Sequence, residues 1–304
     1  MGPPEFESES MAPKATRINQ ATPRAQWFFG NDIQYLKTFM KYHCLHYFMD
    51  FNIKKPLHIL ALILITLSFF FIIIVPILSF VGTFPSTQSI EFQEVSDTLK
   101  LISEIFFLIF QLVLVFGLMV VIPFLWYLLV NNCNLKEIFH RIKLNLENID
   151  KAFLWGLISA ITIFFLVFVI ELILIAMGHE SQDLSNIPDI QKLFSWPVLF
   201  LLVAFQPIAE EIFFRGFLFE KVEHFTGGIG AILISSFLFG IAHMSYGKIF
   251  PVIMPILMGI ILGYVVYKTN NLYSAIIAHI TFNVASITLA YIGYELLENI
   301  ALIL

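Results

Sequence analysis

Apolar runs of about 20 residues or more recur along most of this 304-residue chain, and they restrict its fold more than any other feature. A helix needs about 20 apolar residues to cross a hydrocarbon core of about 30 Å. Lipid offers the backbone no hydrogen-bond partners, so such runs satisfy themselves as helices. Composition agrees: 59% of the residues are hydrophobic and 13% charged, against about 25% charged in an ordinary soluble domain. The expected fold class is all-α, a polytopic membrane helical bundle of about seven transmembrane helices plus interfacial helices. A net charge of −5 without a concentrated basic patch excludes nucleic acid as a partner. Cys44 and Cys133 are too few and too isolated for a disulfide framework or a cysteine metal site. No lipid anchor is expected, since Phe6 stands where a myristoylation signal needs Ser or Thr and the terminal Ala-Leu-Ile-Leu lacks a cysteine.

Taken in order, residues 1–25 are polar, rich in Pro and Ser, and expected to be a disordered N-terminus. A single transmembrane helical domain covers 26–304. Trp27 to Phe51, which holds His43, Cys44 and His46, reads as an interfacial amphipathic helix rather than a metal site. Spans are expected at about 56–81, 105–130, 152–177, 193–222, 229–243, 249–268 and 272–291. Gly227-Gly228 divides the fourth from the fifth. Lys54 and Lys55 precede the first span, and Lys136, Arg141 and Lys143 lie between the second and third, whereas the loops at 82–98 and 178–192 are acidic. The positive-inside rule then puts the N-terminus in the cytoplasm.

Three charges inside the fourth run demand a reason. In Gln206-Pro207-Ile208-Ala209-Glu210-Glu211-Ile212-Phe213-Phe214-Arg215-Gly216, two carboxylates and a guanidinium interrupt an otherwise apolar helix. Each costs roughly 2.5–3.5 kcal/mol at a bilayer centre on insertion scales. Glu211 and Arg215 are four apart and share a face, so they can pair. Glu210 lies about 100° round the helix and is left as the unpaired acid. On this reading Glu211 and Arg215 are scaffold and Glu210 carries chemistry. Gln206 and Gln111 read as packing residues or water contacts, and His58 as interfacial.

Two further polar sites interrupt the later spans: Phe239-Gly240-Ile241-Ala242-His243 and His279-Ile280-Thr281-Phe282-Asn283. His279 and Asn283 share one helix face. Unpaired polar groups cost several kcal/mol in hydrocarbon, so these side chains should turn inward. At 1.5 Å per residue, Glu210 lies about 18 Å, His279 about 11 Å and His243 about 22 Å from the cytoplasmic ends of their spans. These depths bracket the middle of the bilayer.

Glu-Glu-x-x-x-Arg at 210–215, Phe-x-x-x-His at 239–243 and His-x-x-x-Asn at 279–283, in this order on successive apolar segments, resemble the CAAX protease and bacteriocin-processing family, also called the Abi family. It includes intramembrane endopeptidases similar to the Ras-converting CAAX protease. The resemblance covers a catalytic core at about 195–290. It implies a peptidase that opens to the cytosolic side, with Glu210 as catalytic glutamate, His243 as the histidine facing it, and His279 and Asn283 as the pair on the later helix. Glu211 and Arg215 match supporting positions.

The expected activity is hydrolysis of a peptide bond in a membrane-associated or prenylated, CAAX-type substrate by glutamate-activated water. Partners are then a peptide or lipidated protein substrate and membrane lipid. No cofactor is expected. Two histidines and a glutamate are also a common catalytic zinc set, so a divalent metal such as zinc is the alternative. A non-catalytic membrane scaffold or immunity-type protein of the same fold, and a transporter with a buried proton relay, are the competing functions.

Overall fold

The computed structural model describes residues 51–82, 97–178, 194–244 and 250–303. Their regular elements are all helical, with no strand among the described residues. In chain order the helices are α1 (Pro56–Phe69), α2 (Val75–Phe80), α3 (Asp97–Phe116), α4 (Ile122–Leu129), α5 (Leu135–Arg141), α6 (Ile149–Ala176), α7 (Trp196–Glu211), α8 (Phe219–Ile241), α9 (Phe250–Thr269) and α10 (Tyr273–Ile303). Wider π-helical turns at Phe70–Ile74, Gly117–Val121 and Ile212–Leu218 join α1 to α2, α3 to α4 and α7 to α8. The expected disordered 1–25, the interfacial helix with His43, Cys44 and His46, and most of both acidic loops lie outside the described residues.

Six helical stretches among the described residues are long and apolar enough to cross a membrane: Pro56–Phe80, Thr98–Leu129, Ile149–Ala176, Trp196–Ile241, Val252–Thr269 and Tyr273–Leu296. The protein is an integral, multi-pass membrane protein. The difference from seven spans lies at Gly227. Trp196–Ile241 is 46 residues, or about 69 Å of helix, twice what a bilayer core needs. Gly227, at φ 73° and ψ 175°, breaks it in backbone that side chains avoid. The expected boundary between the fourth and fifth spans falls at that break.

The first two π turns have a common cause. In each, the residue after the turn donates five residues back, Val75 to the Phe70 carbonyl and Ile122 to the Gly117 carbonyl. The next residue is then a proline, Pro76 or Pro123, which has no N–H to continue the ladder. Pro123 thus leaves the Leu118 carbonyl without its backbone partner, and the fully buried Ser68 donates its hydroxyl to that oxygen at 2.7 Å. One side chain of α1 repairs a defect that lipid could not. Phe69 meets Phe213 at 5.3 Å between ring centroids, which sets α1 against the third π turn.

Glycine sets the approach of the later helices. A Cβ on Gly240 would lie 2.2 Å from Ile256 Cγ1 and 2.8 Å from the Val252 carbonyl, so α8 and α9 pack backbone to backbone there. A Cβ on Gly156 would lie 2.9 Å from Ile277 and 3.0 Å from the Ser274 carbonyl, which seats α6 on α10.

At one end of the bundle, Asn271 fastens the α9–α10 turn. Its Nδ2 donates to the carbonyls of Asn145 and Glu147 at 3.1 and 3.0 Å, and its Oδ1 accepts from the Tyr273 N–H. The Lys143 Nζ–Glu223 Oε2 ion pair at 2.9 Å and Arg141–Glu220 at 3.8 Å tie α8 to the same region. Helix α5 buries Ile138, leaves Leu135 and Phe139 exposed, and begins in a capping box between Asn134 and Glu137.

Two polar residues near span ends have partners that the sequence does not announce. His58 is buried, and its Nδ1 accepts the Asn52 N–H at 3.0 Å, which closes the turn before α1. Glu104 is 4% exposed and accepts both the N–H and the hydroxyl of Ser195 through Oε2, at 3.0 and 2.5 Å. Ser195 is the N-cap of α7, so the start of the helix bearing Glu210 is held from α3.

Candidate active site

Helix α7 ends on Glu210 and Glu211, and the third π turn begins at Ile212. Every residue of that turn is buried, including Arg215. π turns inside α-helices recur at functional sites. Glu210 is 6% exposed, Glu211 and Arg215 0%, and His279 2%.

The Glu211–Arg215 pair has the expected i, i+4 form, with Arg215 Nη1 donating to Glu211 Oε1 at 2.9 Å. The same oxygen takes a second bond, from His279 Nδ1 at 2.8 Å. A carboxylate only accepts, so Nδ1 carries hydrogen and Nε2 is turned away from Glu211. His279 Nε2 then faces Glu210 Oε2 at 3.8 Å. That gap is too long for a direct hydrogen bond and short enough for one water off the line to bond both groups.

Glu210 is not without a partner, as the sequence suggested. Gln206, one turn earlier and half-buried, donates Nε2 to Glu210 Oε1 at 2.7 Å. It was expected to pack or to contact water. Its spacing of four residues from Glu210 was the available signal.

Phe239 binds the parts together. Its ring lies 4.2 Å from the Arg215 guanidinium carbon, meets the His279 ring edge-on at 5.8 Å and touches the His243 ring at 4.7 Å. An arginine over an aromatic face gains a cation–π contribution that strengthens when the pair is desolvated. Gly259 of α9 makes room for the guanidinium, since a Cβ there would lie 2.9 Å from Arg215 Nη2.

His243 Nδ1 donates to the Phe239 carbonyl at 2.8 Å, which leaves Nε2 as the acceptor of the neutral ring. The structure thus groups Gln206, Glu210, Glu211, Arg215 and His279 by direct contacts and adjoins His243 through Phe239. Asn283 lies one turn beyond His279 on α10, half-buried. Among the described residues no hydrogen bond ties it to the others.

Three buried side-chain atoms find no hydrogen-bond partner among the described residues, and all three are here: Glu211 Oε2, Arg215 Nε and Arg215 Nη2. Under-bonded polar atoms are rare in protein interiors, and they concentrate at this centre. No three His, Cys, Asp or Glu side chains among the described residues are grouped so as to hold a metal ion.

Searches of curated proteins and of solved structures each find no match. Residues 192–285 match the family described as type II CAAX prenyl endopeptidase Rce1-like. All seven site residues fall in that stretch, which is similar to the Rce1-like type II CAAX prenyl endopeptidase family.

Proposed function

We propose that the protein is an intramembrane endopeptidase in which Glu210 activates water against a peptide bond of a prenylated, CAAX-type substrate. The observation that carries this reading is the 3.8 Å opposition of Glu210 Oε2 and His279 Nε2, with His279 held in place by Glu211.

In the proposed reaction Glu210 Oε2 takes a proton from water as the water oxygen attacks the scissile carbonyl carbon. His243 orients that water by accepting its second hydrogen at Nε2. The oxyanion of the tetrahedral intermediate is met by the Asn283 amide and by His279, which Glu211 holds in place. Loss of one such donor in other enzymes costs about 100- to 1,000-fold. When the C–N bond breaks, the proton on Glu210 passes to the departing nitrogen. Glu211 and Arg215 do not react; they hold His279 at its post.

The end of the bundle carrying Lys54, Lys55, Lys136, Arg141, Lys143, Lys151, Lys221 and Lys268 is the cytosolic one in this reading. The N-terminus lies on the same side.

No metal enters this chemistry. A divalent ion such as zinc would have to take Glu210, His279 Nε2 and His243, because Glu211 Oε1 and His279 Nδ1 already occupy each other. Full activity after exhaustive chelation upholds the metal-free reading, and loss restored by added zinc overturns it. The function itself is tested with purified protein on prenylated and unprenylated peptides ending in a CAAX sequence. Cleavage of the prenylated peptide by the wild type, and none by Glu210→Ala or His243→Ala, is expected. Cleavage at the wild-type rate by either folded variant overturns the role given to that residue.

A further inference from the structure

Glu210 presents two oxygens, and its two neighbours treat them differently. Oε1 receives the Gln206 amide at 2.7 Å, and Oε2 faces His279 Nε2 at 3.8 Å. A carboxylate terminus on its own has a broad, two-fold torsional preference, so either oxygen could turn towards the imidazole. The amide bond removes that freedom. Gln206 and Glu210 lie one turn apart on the same helix, whose start Glu104 clamps through Ser195, so the donor rides on the same rigid element as the acid it holds. Pro207, immediately after Gln206, adds a fixed backbone torsion between them. Gln206 belongs to none of the three short patterns that mark the site, and the reaction proposed above gives it no task.

We infer that Gln206 is a positioning residue for the hydrolysis: it occupies Oε1 of Glu210 and so dedicates Oε2 to the water between Glu210 and His279. The inference rests on the endopeptidase reading of the site. A ground-state substrate contact is not part of the role, so its loss acts on turnover and leaves substrate affinity alone. Small displacements of a catalytic group can cost a hundredfold, and a freed carboxylate is displaced by rotation rather than removed.

The test compares wild type, Gln206→Met, Gln206→Glu and Glu210→Gln on a quenched fluorescent, prenylated peptide with a CAAX terminus. Methionine keeps the length and the helix propensity of glutamine but has no donor. Glutamate keeps its shape and, when ionised, offers only acceptors to Oε1. Both Gln206 variants are expected to lose about 10- to 100-fold in kcat with KM unchanged and with the unfolding midpoint in detergent unchanged. A wild-type kcat in either variant, a raised KM with kcat intact, or a fall in kcat that tracks a fall in unfolding midpoint overturns the inference. Glu210→Gln separates the two levels. If it cleaves like wild type, the endopeptidase reading fails; if it is inactive while Gln206→Met turns over normally, only the role of Gln206 fails.

Discussion

Adjacent glutamates in one buried turn should respond very differently to the same substitution. Glu211 Oε1 accepts from Arg215 at 2.9 Å and from His279 at 2.8 Å, and none of the Glu211 or Arg215 side chain reaches solvent. Glu211→Gln keeps the shape but strands the Arg215 charge in the interior. Removing one partner of a buried pair costs about 3–5 kcal/mol. Glu210 takes one bond, from the half-buried Gln206, and an amide in its place can still accept it. Glu210→Gln should therefore cost about 1 kcal/mol or less, the worth of an ordinary hydrogen bond. The expected separation is at least about 2 kcal/mol, roughly a 30-fold difference in the folding equilibrium. Titrating denaturing detergent into micellar protein and following helical circular dichroism reads both variants on one scale. Glu210→Gln should be stable and inactive, Glu211→Gln clearly destabilised. Equal shifts, or a larger one for Glu210→Gln, would refute the division of the two carboxylates into chemistry and support.

Three further outcomes follow from the packing. Ser68→Ala leaves the Leu118 carbonyl unpaired in the bundle and should cost about 1–3 kcal/mol; adding Pro123→Ala restores a backbone N–H and should recover part of that loss in the same unfolding assay. Gly240→Ala drives a Cβ to 2.2 Å from Ile256 Cγ1 and should destabilise by about 1–3 kcal/mol through overpacking, with a lowered thermal midpoint as the readout. Burial pushes the Cys133 thiol above its usual range, Arg141 and Lys221 opposing the shift and Glu137 and Glu220 adding to it. Fewer thiolates are then present at neutral pH, so with Cys44 replaced by serine the alkylation of Cys133 should be slow near pH 7 and quicken as the pH rises past 9; rapid labelling at pH 7 would contradict the burial.

What the sequence made legible was local. The Glu211–Arg215 pair follows from a spacing of four on a helix, and the break at Gly227 from two consecutive glycines between apolar runs. The inward turn of His279 follows from the cost of a bare imidazole in lipid. The depths expected for Glu210 and His279 only bracketed the middle of the bilayer, and the packed helices set the two side chains 3.8 Å apart. What escaped the sequence was the partner far along the chain. Glu104 and its partner Ser195 are 91 positions apart. Nothing in the neighbourhood of His58 announces that its nitrogen closes a turn with Asn52. Pro76 and Pro123 announce distortion, but not that the distortion is a widened turn, nor that Ser68 mends one of them. Phe239 was read as the first letter of a motif, and its contact with one cation and two imidazoles needed three helices in place.

The stretch that holds the candidate site is propped from outside its own borders. Glu104 grips its first helix, and Ile142 lies 3.1 Å from where a Cβ on Gly216 would be. Lys143 anchors Glu223, and the carbonyls of Asn145 and Glu147 moor Asn271. Cut out at 192–285, the acid and its imidazole would arrive without their foundations. A graft of this centre into another bundle has to bring these four struts along with the seven side chains.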